Sequence, residues 1–308
     1  MTTNYNELDL TGNKFSKQQL DSLQKDRLDP TQSYAKVLLY GKPGSTKTVE
    51  AFSVGDRVCG IQSDPGGFES LRNHPELGLL TGRIDLYDYK GLSQLEAIAQ
   101  AANEKHGKFA EYDTYVVDTA SNIITLDLDV ITKVQIEKKS RLEESKRFDF
   151  EAHMRGVYNQ DAYRARVAFL KLFNVKANVI ATAHVRYYRD KHNPDIIVSV
   201  GPKFPPEVMS SIASFTTLVG YMKADAKISK DRTQVRYVRT MQVHPTEDVE
   251  AKTRIGNLPL VIPNPNLRKI IQDWKEAGGL LVEDAEPVEQ NPVKDLTPEE
   301  LEDFGLGK

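Results

Sequence analysis

The stretch "YGKPGSTKT", residues 40–48, decides how the rest of the chain is read. A loop that wraps a phosphate follows the pattern G-x-x-x-x-G-K-[ST]. Its backbone N–H groups and the start of the next helix face the anion, its lysine reaches the β/γ oxygens and its hydroxyl holds Mg²⁺. Gly41, Lys47 and Thr48 stand where the pattern wants them, with Lys42, Pro43, Gly44 and Ser45 between, but Thr46 occupies the place of the second glycine. That glycine normally permits a backbone angle closed to other residues and a close approach of the phosphate. Gly44 still frees the loop, so Thr46 is expected to weaken the site rather than abolish it. The competing reading is a plain Gly-Pro turn.

The surroundings favour the loop. "AKVLLYG" (35–41) is a buried strand running into it, and "TVEAFSVG" after it can start a helix. Further apolar runs follow at 57–63, 83–89, 114–120 and 178–185. Between them Leu92, Leu95, Ile98, Ala99 and Ala102 share one helical face, and Tyr163, Val167, Leu170 and Phe173 another. Continuous apolar strands alternating with helices predict an α/β fold, a mainly parallel central sheet covered on both faces. After residue 195, "DIIVSVG", "FTTLVGYMKA" and "QVRYVRTMQV" are successive strands, expected as an antiparallel C-terminal extension of that sheet.

Residues 1–33 are a polar N-terminal segment, 34–275 the core with a charged helical insertion at about 127–160, and 276–308 an acidic tail expected to be disordered. Residues 283–308 hold nine acids against two lysines, so the overall −3 leaves the first 282 residues mildly basic. Cys59 is the single cysteine, which excludes an internal disulfide, and the six histidines are scattered. The opening "MTTNYNELDLTGNKF" is polar, unlike a signal peptide, and the uncharged run between Glu207 and Lys223 is too short for a membrane span. A cytoplasmic protein without a membrane partner is expected.

Three strand ends carry candidate chemistry. "TYVVDTA" ends in Asp118, about seventy residues after the loop; a carboxylate on a strand beside the loop can complete a Mg²⁺ shell through water. "NVIATAHVR" places His184 where it could touch a γ-phosphate, although a strand-end histidine is more often simply satisfied in place. "CGIQSDPGGFESL" ends a strand with Asp64, which either orients an attacking water or serves as a turn acid.

Together these elements resemble the core of RecA-type P-loop ATPases, and within them the small RecA-like recombinases of bacteriophages. These are the Sak-type single-strand-annealing ATPases, also called phage nucleotide-binding proteins. The likeness covers roughly residues 33–270. "SDPGGFESL" is similar to that family's turn after the second strand, with Asp64 at or near a glutamate, and "ATAHVR" to its sensor. "AKTRIGNLP" is similar to a Lys-x-Arg element, which implies that Lys252 and Arg254 complete the γ-phosphate site of a neighbouring subunit.

The resemblance implies ATP and Mg²⁺ as cofactors and single-stranded DNA as partner. It also implies a ring or filament of identical copies and slow, DNA-dependent ATP hydrolysis serving annealing or strand exchange. The strand would lie along Arg186, Tyr187, Tyr188, Arg189 and Lys191, with Lys203 and Phe204, since cations meet phosphates and flat rings meet bases. The acidic tail could dock a single-strand-binding or replication protein. A ring-forming DNA motor and a nucleotide-gated DNA-binding module with little turnover stay open as alternatives.

Overall fold

Val37 and Leu39 point to one face of the first strand and Leu38 and Tyr40 to the other, and all four are fully buried. A strand apolar on both faces must lie inside a sheet covered on both sides. The computed structural model shows this arrangement and describes residues 33–64, 66–67, 69–72, 74, 77, 82–127, 150–228 and 235–277. The polar N-terminal segment, most of the charged insertion and nearly all of the acidic tail lie outside the described residues.

In chain order the elements are β1 (Lys36–Gly41), α1 (Lys47–Ser53), β2 (Val58–Gln62), α2 (Glu69–Arg72), β3 (Ile84–Asp88) and α3 (Leu92–Asn103). There follow β4 (Thr114–Asp118), helical residues 120–127, α4 (Phe150–Phe173), β5 (Asn178–Arg189), β6 (Ile197–Pro202) and α5 (Pro206–Phe215). The chain continues through β7 (Leu218–Ile228), β8 (Val235–Gln242), β9 (Lys252–Thr253), β10 (Val261–Pro263) and α6 (Leu267–Glu276).

The sheet runs β10-β8-β7-β1-β5-β4-β2-β3, with β6 on β5 and β9 on β7. The six strands from β7 to β3 are mutually parallel. Their carboxyl ends therefore share one edge, the place where open α/β sheets bind ligands.

Two expectations change. Among the three late runs, β6 pairs antiparallel with β5 and β8 with β7, but β7 itself is parallel to β1, with Val37 opposite Leu218. Helix α5 is the crossover that turns the chain round, so "FTTLVGYMKA" belongs to the parallel body rather than to an antiparallel extension. The face of α4 is also shifted. Ala162, Ala165, Ala168, Phe169, Leu172 and Phe173 are buried, whereas Tyr163 is 61% exposed. Alanines let α4 sit close to α3 and α5, and its larger residues at 163, 167 and 170 fall toward the rim.

One core cluster joins Leu38, Tyr40, Tyr115, Val117, Val179 and Ala181 to α3, α4 and α5; the other joins Val37, Leu39, Val116, Ile180 and Leu218 to α1 and α6. Among the described residues no helix is long and apolar enough to cross a membrane.

Candidate functional site

Strand β1 ends at Gly41, in register with His184 of β5 on one side and Met222 of β7 on the other. A Cβ on Gly41 would lie 2.2 Å from the Met222 carbonyl oxygen, so the first glycine of the loop is demanded by its neighbouring strand. Gly44 takes φ +78°, and Thr46 takes φ 64° and ψ 15°, the left-handed geometry that a glycine would adopt freely. The loop thus keeps its path despite the substitution, with a β-branched residue held in a costly conformation. Helix α1 begins at Lys47 and is only seven residues long, so the anion-facing donors come chiefly from the loop itself.

Lys47 is buried, and its ammonium donates to Gly41 O at 3.0 Å, Lys42 O at 2.8 Å and Ser45 Oγ at 3.2 Å. Burial pushes its pKa down to about 8, opposed by the charge of Asp118. Thr48 Oγ1 donates to Asp118 Oδ2 at 2.8 Å, and Thr182 Oγ1 donates to the other carboxylate oxygen. Asp118 therefore reaches the loop hydroxyl even though β5 lies between β1 and β4.

Lys47, Thr48 and Asp118 line a cavity of about 340 Å³ together with Pro43, Gly44, Thr46, Asp64, Gly67 and Ser70. A wider groove, about 560 Å³, lies beside Lys252. The smaller cavity is singled out by its chemistry, with Lys47, Thr48, Asp118 and His184 converging on it.

His184 is half-buried at its rim. Burial and then the charges of Lys47 and Lys203 hold its imidazole below the usual range, while Asp64 and Asp118 pull the other way. A neutral ring can donate or accept a hydrogen bond at a phosphate without adding charge. Asp64 is exposed, and its carboxylate accepts the Gly66 N–H at 3.2 Å, so it faces the cavity while also holding the turn.

Thr182, Ser121 and Ser63 were not read from the sequence. Thr182 braces Asp118, Ser121 Oγ accepts the His184 N–H at 3.0 Å, and Ser63 Oγ accepts the Thr119 N–H at 3.1 Å. Thr182 was findable, because residues two apart on a strand share a face and His184 was already singled out.

A family model described as an AAA domain matches residues 33–255. The chain belongs to the AAA-domain family. It is an AAA-type P-loop NTPase by that membership, a family of nucleotide-binding ATPases. None of the curated proteins matches the chain.

In this AAA domain the cavity fits a magnesium nucleotide. Thr48 and Asp118 present hard oxygen donors, and Thr46 Oγ1 is a buried hydroxyl with no hydrogen-bond partner. Among the described residues no three His, Cys, Asp or Glu side chains cluster as metal ligands. The protein would thus supply only Thr48 directly and Asp118 through water, the sparse ligation that Mg²⁺ tolerates. When bound, Mg²⁺ supplies neutralisation of phosphate charge.

The remaining candidates lie away from the cavity. Lys252 donates to the Ala213 carbonyl and Arg254 to the Ser214 carbonyl at 2.9 Å, so both cap the last turn of α5. Neither lines the cavity of its own chain. Arg186, Tyr187, Tyr188 and Arg189 form the end of β5, Lys191 the turn of the β5–β6 hairpin, and Lys203 follows β6. The four cations are exposed. Tyr187 packs on the core, with the Lys42 ammonium 5.9 Å from its ring centre, and the Arg186 guanidinium lies 5.1 Å from the centre of Tyr188. Phe204 corrects its expectation, being 3% exposed and edge-on to Phe169 at 6.2 Å, closed to any base. Ile196, Ile197 and Val198, read from sequence as part of a strand, are exposed on the same hairpin.

Proposed function

We propose that this AAA domain is a phage recombinase that binds and slowly hydrolyses ATP on single-stranded DNA, promoting annealing or strand exchange as a ring or filament in the host cytoplasm. One observation carries the reading. Strand β5 places His184 at the nucleotide cavity, in register with Gly41, and then continues into the basic hairpin of Arg186, Arg189 and Lys191. Nucleotide state at His184 would thereby reach a strand held along the hairpin.

In this reading Lys47 and Thr48 bind the phosphates and Asp118 holds the metal's water. Asp64 positions the attacking water, and Lys252 and Arg254 serve a neighbouring copy. The cations of the hairpin meet DNA phosphates and Tyr188 meets bases. The acidic C-terminal stretch would dock a single-strand-binding or replication protein.

ATP hydrolysis with and without single-stranded DNA, beside Lys47→Ala, tests this. Stimulation that disappears in the variant is the expected result, and a rate unaffected by DNA and by the substitution overturns it. A second reading, a nucleotide-gated binder with little turnover, is favoured by Asp64, whose carboxylate is engaged by Gly66. Tight ATP binding without stimulated hydrolysis would select it.

A further inference from the structure

Thr46 is where the loop departs from the phosphate-binding pattern, and its side chain is as unusual as its backbone. The residue lines the cavity beside Lys47, Thr48 and Asp118, with φ 64°. Its Oγ1 is buried without a hydrogen-bond partner. Every other polar side chain of the loop's end is engaged: Ser45 Oγ donates to Lys42 O at 2.8 Å, Lys47 to three loop oxygens and Thr48 to Asp118. A buried hydroxyl without a partner and a β-branched residue at positive φ are both costly, and a glycine would remove both costs.

We propose that the Thr46 hydroxyl is a phosphate ligand, donating a hydrogen bond to an oxygen of the di- or triphosphate of a bound nucleotide. A side-chain donor then takes over part of what close backbone approach provides when glycine stands here. The inference rests on the nucleotide-binding reading of the cavity and gives this chain a fourth side chain on the anion besides Lys47, Thr48 and His184.

The test is the affinity of the wild type, Thr46→Val, Thr46→Ser and Lys47→Ala for a fluorescent ADP with Mg²⁺, beside the melting temperature of each protein without nucleotide. Valine keeps the shape and the β-branch and deletes only the donor. Thr46→Val should lose about tenfold or more in ADP affinity, the scale of a hydrogen bond to a charged partner. It should melt at or above the wild-type temperature, because an unsatisfied hydroxyl has become a methyl. Thr46→Ser should bind within about threefold of the wild type. If Thr46→Val binds ADP as tightly as wild type while Lys47→Ala is defective, this inference is overturned and the nucleotide site is left standing. A wild type that binds no ADP overturns both.

Discussion

The His184 carbonyl accepts the Lys203 N–H at 2.8 Å, while the His184 N–H donates to Ser121 Oγ at 3.0 Å. The residue at the rim of the nucleotide cavity is thus pinned by its backbone to both the helical turn that follows β4 and the base of the hairpin. In the proposed reading, a shift at its imidazole would reach the basic hairpin through the Lys203 contact.

The first prediction concerns that ring. Its folded pKa is lowered from 6.5, with burial first and Lys47 and Lys203 next. Above about 6.5 folded and unfolded chains are both neutral there and nothing is lost. As pH falls below that value the unfolded chain takes up the proton first, and stability declines until the folded pKa is passed. Lys203→Met removes one of the depressing charges. The His184 resonance should then titrate at higher pH, and Asp64→Asn should move it lower. Shifts in the opposite directions would show that the charges do not act on this ring.

Asp118 should matter through the metal. Asp118→Asn keeps the shape but removes the charge and leaves one oxygen to accept from both Thr48 and Thr182. Titration calorimetry should show ATP binding that Mg²⁺ no longer strengthens, with hydrolysis down by roughly 10²-fold or more. Folding stability should fall by about 1–2 kcal/mol. Retained magnesium dependence would remove Asp118 from the metal's surroundings.

The two loop glycines should behave differently. Gly41→Ala drives a methyl to 2.2 Å from a backbone oxygen of β7, and neither strand can yield. A loss of at least ~3 kcal/mol, or no folded protein, is expected in denaturant unfolding. Gly44→Ala meets nothing within 4 Å and carries only its positive φ, so about 1–2 kcal/mol is expected. Equal costs would contradict the packing account.

Much of this was legible from the chain. The apolar runs of β1, β2, β4 and β5 and the loop between β1 and α1 announce themselves, because strands buried on both faces allow few polar residues. The strand ends carrying Asp64, Asp118 and His184 followed from the same reading, and all three residues line one cavity. What failed depended on distant partners. Whether β7 joins β1 in parallel is settled by how α5 packs, which no local pattern contains. Part of the buried face of α4 is alanine, at 162, 165 and 168 beside Phe169, Leu172 and Phe173, and residues that small do not mark a face against Tyr163 and Leu170. The contacts of Lys252 and Arg254 with the carbonyl end of α5 were likewise unreadable, because their partners lie 39 and 40 residues away.

Asp161 carries a pH prediction away from the nucleotide. It is 2% exposed on α4, and burial, then its hydrogen bond with Asp127, pushes its pKa to about 7, with Arg164 opposing. The Arg164 guanidinium is 3.6 Å from Asp127, and Tyr89 also faces the pair. An acid with a raised folded pKa gives stability that is complete below the unfolded value, near 4, and lost as pH rises through the folded one. Asp161→Asn cannot ionise. It should melt higher than wild type at pH 8, with the advantage shrinking toward pH 5. A constant difference across that range would separate Asp161 from the titration.

Phe204 and Tyr188 lie on the same hairpin region and looked equivalent as stacking platforms, but their surroundings differ. Phe204 is buried against Phe169, so Phe204→Ala opens a cavity in the cluster that holds α4 and α5 to the sheet. About 3–5 kcal/mol of stability should be lost. Whatever DNA binding survives in the folded fraction should match wild type. Tyr188 is half-buried, under the Arg186 guanidinium, on a strand end paired with Ser199 of β6. Tyr188→Ala should change stability by less than about 1 kcal/mol and weaken single-stranded DNA binding by a stacked base, ~1–3 kcal/mol. Denaturant melts and anisotropy with a labelled oligonucleotide, run on both variants, separate the two effects. If Tyr188→Ala binds DNA as wild type does, the proposed stacking on Tyr188 is overturned, and a wild type that binds no DNA overturns the proposed strand-binding role of the hairpin.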